Sequence, residues 1–137
     1  MKTVLVTGAD RRLGLELCRE MLKAGWRVFG GQYEKELPHL AELQKAYPEQ
    51  LEIVPLDVSS GESVRAAAEF VARRTGGSLD MLIHNAAAQG GGAGDIRGEM
   101  HIAHPVLSFN VNALGAVRLV YALEPLLRKG MRRLCFI

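Results

Sequence analysis

Apolar residues fall along this chain in short uninterrupted runs that alternate with stretches of helical period. Val4-Leu5-Val6 suits a strand buried on both faces, and Thr7-Gly8 interrupts it. Leu13, Leu17 and Met21 then recur every fourth residue beside Cys18 and Leu22, with Glu16, Arg19, Glu20 and Lys23 opposite, which predicts an amphipathic helix. Gly25 supplies a left-handed stop, and Arg27-Val28-Phe29 opens a second strand. Pro38 suits a helix start, Leu37, Leu40, Ala41 and Leu43 give that helix a face, and residues 51–56 form a third strand. Ser59-Ser60-Gly61-Glu62 has the Ser-x-x-Glu form of a capping box, and Val64, Ala67, Ala68 and Val71 line the helix behind it. Gly76-Gly77 closes that helix before a fourth strand at 79–84. Residues 86–98 carry several glycines and no apolar period, as in a loop at the rim of a site or a linker between domains. Pro105 opens a long helix to about Arg128 whose apolar residues cover more than one stripe, and residues 134–137 begin a fifth strand.

Strand–helix–strand units of this length are right-handed, so consecutive strands run parallel. The fourth strand then finds its place on the free side of the first. The expected fold is α/β, a Rossmann-type doubly wound parallel sheet of strand order 3-2-1-4-5, truncated after strand five. Its crevice lies beyond the carboxyl ends of strands one and four, where Gly8 and Asn85 stand. Gly8 lets the backbone approach a ligand, and the helix behind it offers unpaired N–H groups and a positive dipole end. A pyrophosphate suits that place.

Composition narrows the picture little. With 137 residues, 48% hydrophobic and 23% charged, one domain spanning 1–137 is expected, too apolar for disorder. A net charge of +2 implies no strong field, so neither nucleic acid nor a membrane is an expected partner. No stretch is expected to reach the length of a membrane span, and the N-terminal apolar run is too short for a signal peptide. Cys18 and Cys135 read as reduced core residues, which suits a cytoplasmic protein. His84, His101 and His104 lack the partners of a metal site, and none is expected.

Four places carry a resemblance: Thr7-Gly8 through Gly14, Leu56-Asp57-Val58, His84-Asn85-Ala86-Ala87, and Val111-Asn112 followed by Gly115. Together they resemble the short-chain dehydrogenase/reductase family, with Arg12 in place of the middle glycine of its Thr-Gly-x-x-x-Gly-x-Gly turn. Asn85-Ala86-Ala87 resembles that family's Asn-Asn-Ala-Gly motif, His84 and Ala87 being departures. The asparagine favours the shorter branch over the sugar-nucleotide epimerase branch. The resemblance implies cofactor contacts at Gly8, Asp10, Arg11, Arg12, Leu13, Gly14, Gln32, Tyr33, Asp57, Val58, Asn85, Ala86 and Ala87. By the same resemblance Asp57 meets the adenine amino group, a role its position and neighbours favour over a simple strand-end cap or helix entry. Asn112 corresponds to the family's helix asparagine, which holds a water in a proton relay, or else it is satisfied by local backbone.

An acidic residue at the end of strand two would favour the ribose 2′-hydroxyl, and Gln32-Tyr33 stands there instead. Arg11 and Arg12 add guanidiniums suited to phosphate, unless one merely caps a surface turn. NADP(H) is therefore favoured over NAD(H). The Arg11-Arg12-Leu13-Gly14 run is also similar to the turn of pteridine reductases.

The family's Tyr-x-x-x-Lys pair is absent: Tyr33, Tyr47 and Tyr121 are followed four residues on by Leu37, Leu51 and Pro125. The expected chain is thus the cofactor-binding part of an oxidoreductase acting on a small-molecule carbonyl or alcohol. It is expected to be inactive alone, incomplete at its C-terminal end, and homo-oligomeric through the long helix around residues 105–128. The alternative is a non-catalytic dinucleotide-binding or dimerisation module complete as written.

Overall fold

A computed structural model describes residues 1–88 and 103–137. Residues 89–98 of the expected loop, and His101, lie outside them. Five parallel strands, β1 (Thr3–Val6), β2 (Arg27–Gln32), β3 (Leu51–Pro55), β4 (Met81–His84) and β5 (Arg133–Phe136), form one sheet of order β3-β2-β1-β4-β5. This is the expected doubly wound order. In β1, Val4, Leu5 and Val6 are fully buried, because helices cover both faces of the central strand.

Helices α1 (Arg12–Lys23) and α2 (His39–Ala46) cover one face, where Val4, Val6 and Val28 pack with Cys18, Leu22 and Leu40. On the other face, Leu5, Phe29 and Leu82 pack with α3 (Gly61–Thr75) and α5 (Gly115–Leu127) through Val64, Val71, Leu119 and Leu123. The long helix is three pieces: α4 (Ala103–Phe109), a π turn (Asn110–Leu114) and α5.

Several local expectations change. The inner stripe of α1 is Gly14, Leu15, Cys18 and Leu22, one position round from the expected face, and Leu13 is 51% exposed. Gly14 sets this rotation, because a Cβ there would lie 2.0 Å from the Gly8 carbonyl oxygen and only the bare backbone fits. The capping box does not form from Ser59. Ser60 is the N-cap, and its Oγ accepts from the Ser63 N–H at 3.2 Å. Cys18 is buried, which pushes its thiol up to about 12. Cys135 is exposed, contrary to expectation, because β5 lies at the end of the sheet without the cover that buries Leu51 and Val54 on the opposite edge strand, and all four of its residues are exposed.

The helix Pro105–Leu127, 23 residues long with an 18-residue window of mean hydropathy 1.5, is long and apolar enough by length and composition to cross a membrane. That corrects the expectation that no stretch reaches such a length. Apolar residues spread round the helix account for it: Leu119, Leu123, Leu126 and Leu127 pack on the sheet side, while Val106, Phe109, Val117 and Tyr121 are exposed.

Candidate nucleotide-binding site

At the carboxyl ends of β1 and β4 the chain makes a crossed set of hydrogen bonds. The Thr7 hydroxyl oxygen accepts from the backbone N–H of Asn85 at 3.1 Å and of Ala86 at 3.0 Å, and pairs with His84 Nδ1 at 3.0 Å. With both acceptor positions taken, the single hydroxyl proton of Thr7 goes to Nδ1. His84 is therefore the Nε2–H tautomer. Its ring is 4% exposed, and Nε2 finds no hydrogen-bond partner among the described residues. Burial pushes its pKa below the ordinary value, while the Asn112 backbone carbonyl pulls the other way.

Asn85 locks the turn from the side. Its Nδ2 donates to the Gly8 carbonyl at 3.1 Å and lies 3.4 Å from that of Thr7. Gly8 has φ +62, and a Cβ on it would come 2.8 Å from Ala86 Cα. Both the left-handed backbone and the close approach require glycine here.

The turn opens into a groove of about 600 Å³. Gly8, Asp10, Arg11, Arg12 and Leu13 line one side, Asp57, Val58 and Ser59 another, and Asn85, Ala86, Ala87 and Ala88 the floor, with Tyr33 and Val111 at the rim. Twelve of the thirteen residues expected to touch a cofactor, all but Gln32, are either among these lining residues or, as Gly14, packed against Gly8. Gln32 ends β2 and is half-buried beside them.

A dinucleotide suits this groove on its own geometry. Among the described residues no side chain caps α1, and its first turn holds no acidic residue, so the leading amides are unpaired by carboxylate there. Arg11 and Arg12 are exposed at that end. Arg12 adopts φ +50, a left-handed conformation that costs a non-glycine residue about 1 to 2 kcal/mol.

Three side chains differ from their simplest expectation. Asp10, 4% exposed, accepts from the N–H groups of Tyr33 at 3.0 Å and Glu34 at 2.6 Å, so it pins the loop after β2. Asp57 Oδ1 accepts from Ser59 N–H at 2.9 Å and Ser59 Oγ at 2.6 Å, as in a strand-end cap, which leaves Oδ2 for a ligand. Glu34, absent from the expected contacts, lines the same groove as the two arginines. Glu34 therefore adds a carboxylate to those of Asp10 and Asp57 in the groove that holds the two guanidiniums. Only its place one residue past Tyr33 signals it in the sequence.

Asn112 stands in the π turn. Its Oδ1 accepts from the Ala88 N–H at 2.8 Å and its Nδ2 donates to the Ala88 carbonyl at 3.0 Å. Backbone thus satisfies the side chain while the turn brings it to the groove floor. Among the described residues, no cluster of three metal-ligating side chains occurs.

A parallel sheet ordered 3-2-1-4-5, a glycine turn feeding an uncapped helix, and an asparagine in a π turn above β4 define a nucleotide-binding α/β protein. The family profile described as short chain dehydrogenase matches residues 2–132, and the chain belongs to that family. It is 36% identical over 137 residues to estradiol 17-beta-dehydrogenase 2 of Mus musculus, covering 97% of this chain and 35% of that protein. It is 31% identical to retinol dehydrogenase 16 of Rattus norvegicus, covering 96% and 41%. The NADPH-bound carbonyl reductase from chicken fatty liver superposes with a TM-score of 0.80 at 33% identity, over 94% of this chain and 49% of that one. The chain thus spans between a third and a half of the length of these proteins.

Proposed function

We propose that the protein is an NADP(H)-dependent oxidoreductase transferring a hydride between nicotinamide and a small-molecule carbonyl or alcohol, and that this chain supplies the cofactor-binding part. The observation that carries the reading is the uncapped start of α1, with Arg11 and the strained Arg12 at the mouth of the groove. Strain at such a position persists where the side chain is needed there. Similar proteins named for estradiol, retinol and carbonyl reduction support an alcohol or carbonyl substrate.

A nicotinamide nucleotide, when bound, supplies the hydride donor or acceptor. The amides at the start of α1 hold the pyrophosphate, Arg11 and Arg12 hold a 2′-phosphate, and Asp57 Oδ2 accepts from the adenine amino group. Gln32 and Tyr33 flank the ribose. Asn85 holds the turn in shape, and Asn112 acts from the π turn on the proton relay. No tyrosine of this sequence is followed four residues on by lysine. We therefore expect the 137-residue chain to be inactive alone, with the tyrosine and lysine supplied by further sequence.

The exposed Val106, Phe109, Val117 and Tyr121 suit a contact with a second copy through residues 105–128. A cytoplasmic setting, with no membrane or nucleic acid partner, completes the proposal. The test is NADPH oxidation with a panel of ketones and aldehydes, run on the full reading frame beside nucleotide-binding measurements. Binding without turnover of any carbonyl or alcohol would favour a non-catalytic module, and no nucleotide binding would overturn both.

A further inference from the structure

We infer that Arg118 is a positioning residue that ties the π turn carrying Asn112 to the Asp57-Val58 side of the groove. The turn is widened because the Gly115 N–H bonds the Asn110 carbonyl five residues back. That carbonyl has a second lone pair, and Arg118 Nη1 donates to it at 3.1 Å while Nη2 donates to Asn110 Oδ1 at 2.6 Å. The same Nη1 donates at 3.1 Å to the carbonyl of Val58, sixty residues away in sequence.

One guanidinium thus holds both acceptors of the residue that opens the π turn and one carbonyl of the loop after β3. Arginine fits this role because its fork of donors is planar and always charged. The backbones meet at the same place. A Cβ on Gly115 would lie 3.0 Å from Val58 Cγ2 and 3.3 Å from the Val58 carbonyl oxygen. Asp57, the neighbour of Val58, is itself fixed by Ser59, and Asn112 is fixed to Ala88. A continuous line of contacts therefore runs from the Asp57 end of the groove through Arg118 to its floor. The tie rests on geometry alone; that it links a nucleotide end to a reacting end rests on the proposed function.

Amide hydrogen exchange on the full-length protein tests it, with and without NADPH as the probe, in wild type, Arg118→Met and Arg118→Lys. Without nucleotide, Arg118→Met should speed exchange about tenfold in both residues 113–115 and residues 57–59, leaving β1 and β4 unchanged. Arg118→Lys, which keeps the charge but not the fork, should restore part of the protection. NADPH should slow both stretches in wild type and only residues 57–59 in Arg118→Met. Exchange at 113–115 unchanged in Arg118→Met, or raised equally in every element, would overturn the tie. A wild type that does not respond to NADPH would sink the nucleotide reading, and the comparison without nucleotide would still decide the role of Arg118.

Discussion

Asn112 and Ala88 exchange two hydrogen bonds, the Ala88 N–H donating to Oδ1 and Nδ2 donating to the Ala88 carbonyl. This pairing fixes which way the amide points, since the flipped form would face donor to donor and acceptor to acceptor. It also occupies the side chain, so what Asn112 offers a reaction is its place in the π turn and its main-chain carbonyl. In full-length protein, Asn112→Leu removes the anchor to Ala88 and so frees the turn that presents the Asn112 carbonyl; it should leave nucleotide affinity nearly intact and cut kcat about 100-fold or more, as expected when a group acting in the transition state is displaced. Steady-state kinetics beside nucleotide titration checks it. Unchanged turnover would leave Asn112 as a loop anchor only.

The two arginines at the groove mouth should separate the nucleotides. Arg11→Ala should weaken NADPH by about tenfold or more relative to NADH, the loss of one charge-assisted phosphate contact being about 1.5 to 3 kcal/mol. Glu34 on the same rim makes the opposite arm informative. Glu34→Gln should tighten NADPH more than NADH by removing a like charge. Titration of each variant with both nucleotides reads this, and equal changes for both would refute a 2′-phosphate contact.

Arg12 should show stability and binding moving in opposite directions. Arg12→Gly relieves the left-handed strain but adds freedom to the unfolded chain, for a net gain of about 0.5 to 1 kcal/mol. NADPH affinity should fall at the same time. Urea unfolding and nucleotide titration on the same variant check both arms; Arg12→Ala, which keeps the strain, should weaken NADPH without the gain in stability.

Gly14→Ala tests the rotation of α1. The new Cβ would meet the Gly8 carbonyl oxygen at 2.0 Å and Asn85 Nδ2 at 2.6 Å, and the first contact is backbone on backbone. Relaxation requires moving the helix off the turn, so a loss of about 3 kcal/mol or more is expected. Chemical denaturation would detect it, and a variant of wild-type stability would disprove the packing of α1 described above.

His84 makes stability depend on pH. Its folded pKa lies below the ordinary 6.5, mainly through burial, so the unfolded chain binds the proton first as pH falls. The stability it contributes is fully present above pH 6.5 and is lost as pH falls through the folded value. Protonated Nδ1 would also face the Thr7 hydroxyl donor to donor. Unfolding free energies measured downward from pH 7 should therefore decline more steeply in wild type than in His84→Phe, and parallel curves would contradict the lowered pKa of His84.

Strand order, the glycine turn and the family were all legible in the sequence, because they rest on local and periodic features. A buried parallel strand must be a continuous apolar run, and a tight phosphate turn must contain glycine where φ is positive, as at Gly8. The inner stripe of α3 was equally legible, since Val64, Ala67, Ala68 and Val71 repeat at helical spacing and all are buried. What depends on contacts distant in sequence was not. The face of α1 turned one residue because Gly14 meets Gly8 and Asn85, and apolar spacing alone fits either face. Asp10 reaches across to the loop after β2, Asn112 pairs with Ala88, and Arg118 reaches Val58. The exposure of Cys135 depends on β5 lying uncovered at one end of the sheet, whereas β3 at the other end is covered. Sequence by itself determined which elements form and the order in which they enter the sheet. Only tertiary structure decided which hydrogen bonds hold the groove in shape, since those bonds join residues that only folding brings within 3 Å or so of each other.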